Sequence, residues 1–210
     1  MERLKPRLFI ISAPSGTGKT SIFKQSRVLL PKISLSVSYT TRSPREGEID
    51  GSDYFFISVE DFLARIDNNE FIEWAKVYDN YYGTSRVYID RLKREDKIVI
   101  LDIDVQGAMQ LQKIKDLDAV FIFIMPPSLE ELSRRLISRK TESQDLIKKR
   151  LMNAEHEISF KGCYDYQIVN DILEDATNDL LRIIVKECND SKDNNDKIIS
   201  NILTSLKKRV

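Results

Sequence analysis

Leu8-Phe9-Ile10-Ile11, followed by Ser12-Ala13-Pro14-Ser15-Gly16-Thr17-Gly18-Lys19-Thr20, is the stretch on which the fold turns. Four consecutive apolar residues suit a strand buried on both faces. Residues 13–20 follow the phosphate-loop pattern G-x-x-x-x-G-K-[ST], with Ala13 in place of the first glycine, and a helical stretch runs on to about residue 30. Gly16 and Gly18 allow backbone conformations that turn successive N–H groups inward around an anion. The helix that follows adds the positive end of its dipole. Lys19 can neutralise charge shared by the β- and γ-phosphates of a nucleotide, and the Thr20 hydroxyl is placed to ligate Mg²⁺. A Gly-rich strand-to-helix turn with no ligand would leave the register of strand, loop, Lys-Thr and helix unexplained.

Outward from that stretch the pattern recurs. Ile98-Val99-Ile100-Leu101 and residues 120–125 are further runs of the buried-strand type, the first ending at Asp102 and the second stopped by Pro126-Pro127. Residues 33–37 and Gln167-Ile168-Val169-Asn170 read as strands as well. Helices are expected over 58–68, opened by Ser58-Val59-Glu60-Asp61, and from Ser128-Leu129-Glu130-Glu131 to about Arg139. Two more are expected over 144–158 and about 174–188. Strands alternating with helices indicate a parallel sheet covered on both sides. Residues 39–83 break the alternation, with a polar segment at 40–51, strand character at 54–57 and 71–78, and a turn over 80–83. They read as a mixed insertion between two halves of the sheet. The hydrophilic run 189–196 reads as a linker to a loosely attached terminal helix.

With 210 residues, 41% hydrophobic and 31% charged, the chain has the make-up of one soluble domain with a sizeable core. Its 33 basic and 33 acidic residues cancel, which disfavours nucleic acid as a partner. No apolar run approaches membrane-spanning length and none follows the charges at 2–7 as a signal peptide would require, so no membrane is expected and the protein is placed in the cytoplasm. Cys163 and Cys188 have no metal-ligand spacing and read as packing residues in a reducing compartment. His156 is the sole histidine, which disfavours Ser-His-Asp hydrolysis and histidine-rich zinc sites.

Several other clusters call for chemistry. Thr40-Thr41-Arg42-Ser43-Pro44-Arg45 sets two guanidiniums in a stiffened loop suited to bidentate binding of an oxyanion, although alone it would read as an exposed basic turn. Tyr54, Tyr81 and Tyr82 can add hydroxyl donors, or can simply pack. Glu73 sits in the mostly apolar Phe71-Ile72-Glu73-Trp74-Ala75, where a carboxylate is costly unless paired; it either meets donors on a ligand or faces solvent from an edge strand. Asp102 and Asp104 close a buried strand at the edge where parallel sheets bind ligands. There Asp102 can order Mg²⁺ through water and Asp104 can face an acceptor, or cap a helix. Arg134, Arg135, Arg139 and Arg150 flank the polar segment 140–144, either as a closing lid or as solvated basic faces.

Taken together these segments resemble the guanylate kinases, P-loop enzymes that phosphorylate GMP with ATP. The resemblance is carried by residues 12–20, the thirteen-residue Ser36-Val37-Ser38-Tyr39-Thr40-Thr41-Arg42-Ser43-Pro44-Arg45-Glu46-Gly47-Glu48, residues 51–56, Phe71–Ala75, Asn80-Tyr81-Tyr82-Gly83-Thr84-Ser85, Leu101-Asp102-Ile103-Asp104-Val105-Gln106-Gly107 and Ile168-Val169-Asn170-Asp171. It implies an α/β, three-layer P-loop fold over 7–187. The core would be 7–32, 97–125 and 165–187, with a mixed α+β GMP-binding region over about 33–96 and a helical lid over about 126–164. Residues 188–210 would be linker and tail. By the same resemblance Ser38, Glu73, Thr84 and Asp104 would surround guanine, and Arg42, Arg45, Tyr54 and Tyr82 would hold the GMP phosphate. Arg139 and Arg150 would come from the lid, while Arg135 and Asn170 would lie near the adenosine of ATP. Lys19, Arg42, Arg139, Arg150 and Asp102 would then form the catalytic set, with Mg²⁺ held by Thr20 and, through water, Asp102. Lys140 stands where the family often has glycine, which bears on lid geometry.

Elementary chemistry agrees with that acceptor. Guanine presents N1–H and a 2-amino group side by side, and one carboxylate can accept both; adenine would leave it unpaired, and such sites reject the wrong analogue by roughly 10⁴-fold. Direct in-line transfer without a phosphoenzyme is expected, since phosphoryl transfer needs positioning and charge neutralisation. Three rivals are a non-catalytic guanylate-kinase-like protein-binding module, a P-loop kinase with another acceptor, and a structural or nucleic-acid-binding protein. Lys19, Thr20, Asp102, Arg139 and Arg150 argue against the first, the Ser38–Glu73 pair against the second, and neutral charge against the third. Monomer and homo-oligomer are equally compatible with the sequence.

Overall fold

Side chains along a strand leave in alternate directions, so a fully apolar strand feeds two cores at once. β1 (Leu8–Ser12) does this: Phe9 and Ile11 enter one buried cluster, Leu8 and Ile10 another. The computed structural model describes residues 4, 7–77, 79–138, 144–189 and 195–207. Within them β1 lies at the centre of a five-stranded parallel sheet whose order is β2 (Ile33–Leu35), β7 (Ile98–Asp102), β1, β8 (Ala119–Met125), β9 (Tyr166–Val169). The first cluster packs against α1 (Lys19–Leu29) and α7 (Leu173–Cys188); the second packs against α3 (Arg86–Arg94) and α4 (Val105–Gln112). Three layers result, as the alternation of strands and helices implied.

The insertion is a separate four-stranded mixed sheet ordered β4 (Phe55–Phe56), β3 (Tyr39–Thr40), β6 (Asn80–Ser85), β5 (Phe71–Val77). α2 (Val59–Asp67) covers it, starting at Ser58, whose hydroxyl accepts from the Asp61 N–H at 3.0 Å. Phe62 is fully buried and stacks on Phe71 and Tyr81 at 4.6 and 5.4 Å. Gly83 permits that approach, because a Cβ there would fall 2.9 Å from the Phe62 ring.

Three expectations need correcting. Residues 80–83 are not a turn but the start of β6, paired with β5 from Asn80 to Ser85; Asn80 and Gly83 have turn chemistry, but between them Tyr81 stacks on Phe62 and Tyr82 meets Tyr54 edge to face. Helix α3 was not anticipated, since only Ile89 and Leu92 are buried in an otherwise polar segment. The terminal helix α8 (Asn195–Lys207) is not loosely attached. Ile199 is 7% exposed and belongs to the same cluster as α1 and α7, with Ile198 and Ile202 packed against it.

Between β8 and β9, α5 (Leu129–Ser138) and α6 (Gln144–Ser159) carry a small apolar cluster of their own, built on Leu132, Leu136, Ile147 and Ala154. Among the described residues no helix is long and apolar enough to cross a membrane.

Candidate active site

Because the five core strands are parallel, the loops after β1, β7, β8 and β9 open at one edge. The 13–20 loop leaves β1 there. Gly16 and Gly18 both hold φ at +94°, a left-handed conformation that favours glycine. Thr17 between them is buried, its hydroxyl donating to the Pro14 carbonyl at 2.7 Å. Asn170, the residue directly after β9, completes the loop from outside: its Nδ2 donates to the Thr17 carbonyl at 2.6 Å, and a side chain at Gly18 would collide with that same Nδ2. α5 lies so close that a Cβ at Gly16 would fall 2.7 Å from Leu136 Cδ2.

Lys19 opens α1 and forms an ion pair with Asp102 at the end of β7; Thr20 follows, exposed. Arg150 of α6 reaches the loop, its Nη1 donating to Ser15 Oγ at 2.9 Å. Arg135 of α5 donates to the Asn170 carbonyl at 2.9 Å while Glu131 holds its Nε at 2.8 Å. Gly16, Gly18, Ser21, Arg135, Asn170 and Leu173 are among the residues lining a cleft of about 320 Å³ beside the loop. Arg139 and Lys140 lie outside the described residues.

A second group faces the Lys19–Asp102 pair from the insertion. Arg42 grips Glu48 with one nitrogen at 2.8 and 2.9 Å from the two carboxylate oxygens, and its guanidinium carbon lies 5.4 Å from the Tyr54 ring centre. Their hydrogen bond holds Arg42 above and Glu48 below their ordinary pKa values. Tyr54 and Tyr82 meet edge to face at 6.0 Å. Burial pushes the Tyr54 phenol up to about 12, and the charge on Asp102 adds to the shift, so the two halves of the site are within electrostatic reach. Arg45 is exposed, with its backbone N–H donating to Glu48 at 2.7 Å. Ser38 is half-buried, its carbonyl accepting from Phe55 at 2.9 Å.

Glu73 resolves one of the open alternatives: β5 is an edge strand, yet this carboxylate points inward and is only 4% exposed. The Thr84 hydroxyl from β6 donates to its Oε1. Burial pushes the Glu73 carboxyl up to about 7 against the pull of Thr84, and the Asp104 charge adds to the rise. Asp104 both faces this pocket and caps α4, accepting from the Gly107 N–H at 2.9 Å; burial raises its pKa too. Ser38, Arg42, Tyr54, Tyr82, Glu73, Thr84 and Asp104 thus lie on the insertion and the β7–α4 turn, opposite the 13–20 loop.

Two residues escaped the sequence reading. Glu157 is half-buried on α6, and burial pushes it up to about 7 although the Lys19 charge opposes that and Asp104 favours it. Its signal was available, since it lies seven residues after Arg150 and therefore on the same helix face. Gln110 of α4 bridges the backbone of Trp74 on the open edge of β5, donating to its carbonyl at 2.6 Å and accepting from its N–H at 3.3 Å. Nothing in sequence marks a lone glutamine for that task.

A sequence model of the family described as guanylate kinase matches residues 5–187. The chain belongs to the guanylate kinases. It is 49% identical to the guanylate kinase of Protochlamydia amoebophila (strain UWE25) over 183 residues, 87% of this chain and 92% of that one. It is 45% identical to the guanylate kinase of Thermotoga maritima over 195 residues, covering 93% and 94%. The crystal structure of guanylate kinase from Anaplasma phagocytophilum superposes with a TM-score of 0.72 at 36% identity, covering 90% of this chain and 89% of the other. The guanylate kinase match stops at residue 187, so α8 lies beyond it.

Proposed function

We propose that this protein transfers the γ-phosphoryl group of ATP to GMP, and to dGMP, giving ADP and the nucleoside diphosphate. One observation carries the choice of acceptor: a buried carboxylate, Glu73, held by Thr84 beside Asp104, in a pocket facing the phosphate loop across Arg42 and Tyr54. In this reading the loop amides of 13–20 and Lys19 hold the ATP phosphates, Arg135 and Asn170 flank its adenosine, and Arg42, Arg45, Tyr54 and Tyr82 hold the GMP phosphate. Ser38, Glu73, Thr84 and Asp104 hold the guanine. Arg150 and Arg139 bring positive charge from the lid to the transferring group.

The Thr20 hydroxyl and the Asp102 carboxylate are hard oxygen donors of the kind Mg²⁺ takes alongside substrate phosphates, and among the described residues no group of three or more His, Cys, Asp or Glu forms a closed protein cage. Mg²⁺ bound there would neutralise charge on the phosphates. A phosphate oxygen of GMP attacks the γ-phosphorus in line as the bond to the ADP oxygen breaks, so no enzyme side chain is phosphorylated. Lys19 must exchange Asp102 for phosphate oxygens when ATP enters. Purine nucleotide metabolism in the cytoplasm is the setting this chemistry fits.

A coupled assay of ADP release tests the reading. Turnover is expected with ATP and GMP, less with dGMP, and almost none with AMP, UMP or CMP; AMP turning over as fast as GMP would sink the assignment of Glu73. The presence of Lys19, Thr20, Asp102 and Arg150 at one edge supports an enzyme over a protein-binding module.

A further inference from the structure

Gly107 sits inside α4, where glycine is a poor helix former, and neither the fold nor the reaction described so far requires it there. Its surroundings do. A methyl carbon at that position would overlap Glu73 Oε2, and would lie 3.2 Å from Glu73 Cδ and 3.3 Å from Ile103 Cδ1. The other carboxylate oxygen of Glu73 is taken by Thr84. The N–H of Gly107 meanwhile donates to Asp104, so one residue touches both acids of the pocket.

The helix cannot easily back away from such a methyl. Ala108 and Leu111 are fully buried in the core, and Gln110, one turn on, clamps both backbone groups of Trp74, the neighbour of Glu73 on β5. What can yield is the end of the Glu73 side chain. A displaced carboxylate either leaves the Thr84 hydroxyl or swings into the space the base must occupy, and in both cases it no longer meets two adjacent donors squarely.

We propose that Gly107 is a specificity-determining residue: its bare Cα forms the floor that sets where the Glu73 carboxylate stands, and so which purine edge the pocket accepts. It acts through Glu73 and is in that sense a positioning residue. The inference rests on the reading of Glu73 as the guanine-recognising group.

The test is Gly107→Ala measured beside Glu73→Gln, with GMP and with inosine monophosphate, which lacks the 2-amino group. Gly107→Ala should raise the KM for GMP by about 10-fold or more, lower the preference for GMP over inosine monophosphate, and leave the KM for ATP within about 2-fold. Its melting temperature should fall by no more than a few degrees, because the better helix propensity of alanine offsets part of the cost of the displaced Thr84 contact. If Gly107→Ala keeps the wild-type KM and preference while Glu73→Gln loses both, the role of Gly107 is overturned and the pocket reading stands. If Glu73→Gln changes neither, the pocket reading fails and takes Gly107 with it. A sharp fall in melting temperature with equal damage to ATP and GMP would make Gly107 a packing residue only, which also overturns the proposal.

Discussion

Lys19 and Asp102 hold each other at the mouth of the phosphate loop, two groups the proposed reaction needs on different oxygens. Lys19→Ala should lower turnover by about 10²–10³-fold with the fold intact by circular dichroism, the scale of losing one preorganised electrostatic contact; wild-type rates would remove the loop from the mechanism. Glu73 gives a pH prediction. Its folded pKa is raised from an ordinary 4.5 to about 7, chiefly by burial, so the native state binds the extra proton between those values. Stability contributed by this group therefore declines as pH rises through that window and levels off above it. On the proposed reading guanine recognition needs the carboxylate, so GMP affinity should increase as pH passes through about 7, with proton release on binding at lower pH. Calorimetry in two buffers of different ionisation heat measures that release. Glu73→Gln should remove the part of that release centred near pH 7, leaving the part due to the GMP phosphate itself, whereas Glu157→Gln, altering a carboxyl in the same pKa range but on α6, should not. The phosphate loop was legible in sequence because glycines, Lys and Thr carry their chemistry in a fixed local order. Gln110 was not, because its role arises from the strand edge another element brings to it, and Glu157 showed only its spacing from Arg150, not the burial and neighbouring charges that shift it.

At the scale of elements, α4 ties the core to the insertion: it leaves the core strand β7, its Asp104 cap faces Glu73, and Gln110 bridges the edge of β5 at Trp74. An open strand edge is a liability that proteins usually cover. Gln110→Ala should expose it and loosen the insertion without touching the phosphate loop. The expected outcome is faster amide exchange at Trp74 and a KM for GMP raised several-fold, with the KM for ATP unchanged; unchanged exchange in β5 would contradict this role. Fold legibility at this scale followed burial. The core strands β1, β7 and β8 announced themselves as unbroken apolar runs. β6 was misread and α3 missed because each shows only a few inward residues among polar ones, so their identity is fixed by partners: β5 and β3 for the one, β7 for the other.

For the whole molecule, α8 makes residues 195–207 part of the structure that supports the phosphate loop, since it packs on α7 and on α1, whose first residue is Lys19. Ile199→Ala should cost about 2 kcal/mol, seen as a fall in melting temperature of roughly 5 °C, with little change in the KM for either nucleotide. No shift in melting temperature would mean that the helix contributes nothing to the core. The hydrophilic run at 189–196 hid this in the sequence, because a polar linker says nothing about where the helix after it docks.

The bond from Asn170 to the Thr17 carbonyl joins the first loop of the chain to the residue that follows its last strand. During synthesis the nucleotide nest would therefore stay unfinished until β9 has emerged from the ribosome, however early its own residues were made. Stalled nascent chains ending before β9 should retain no ATP, while chains long enough to expose β9 and α7 beyond the exit tunnel should capture it; early capture would mean the nest assembles without its distant partner.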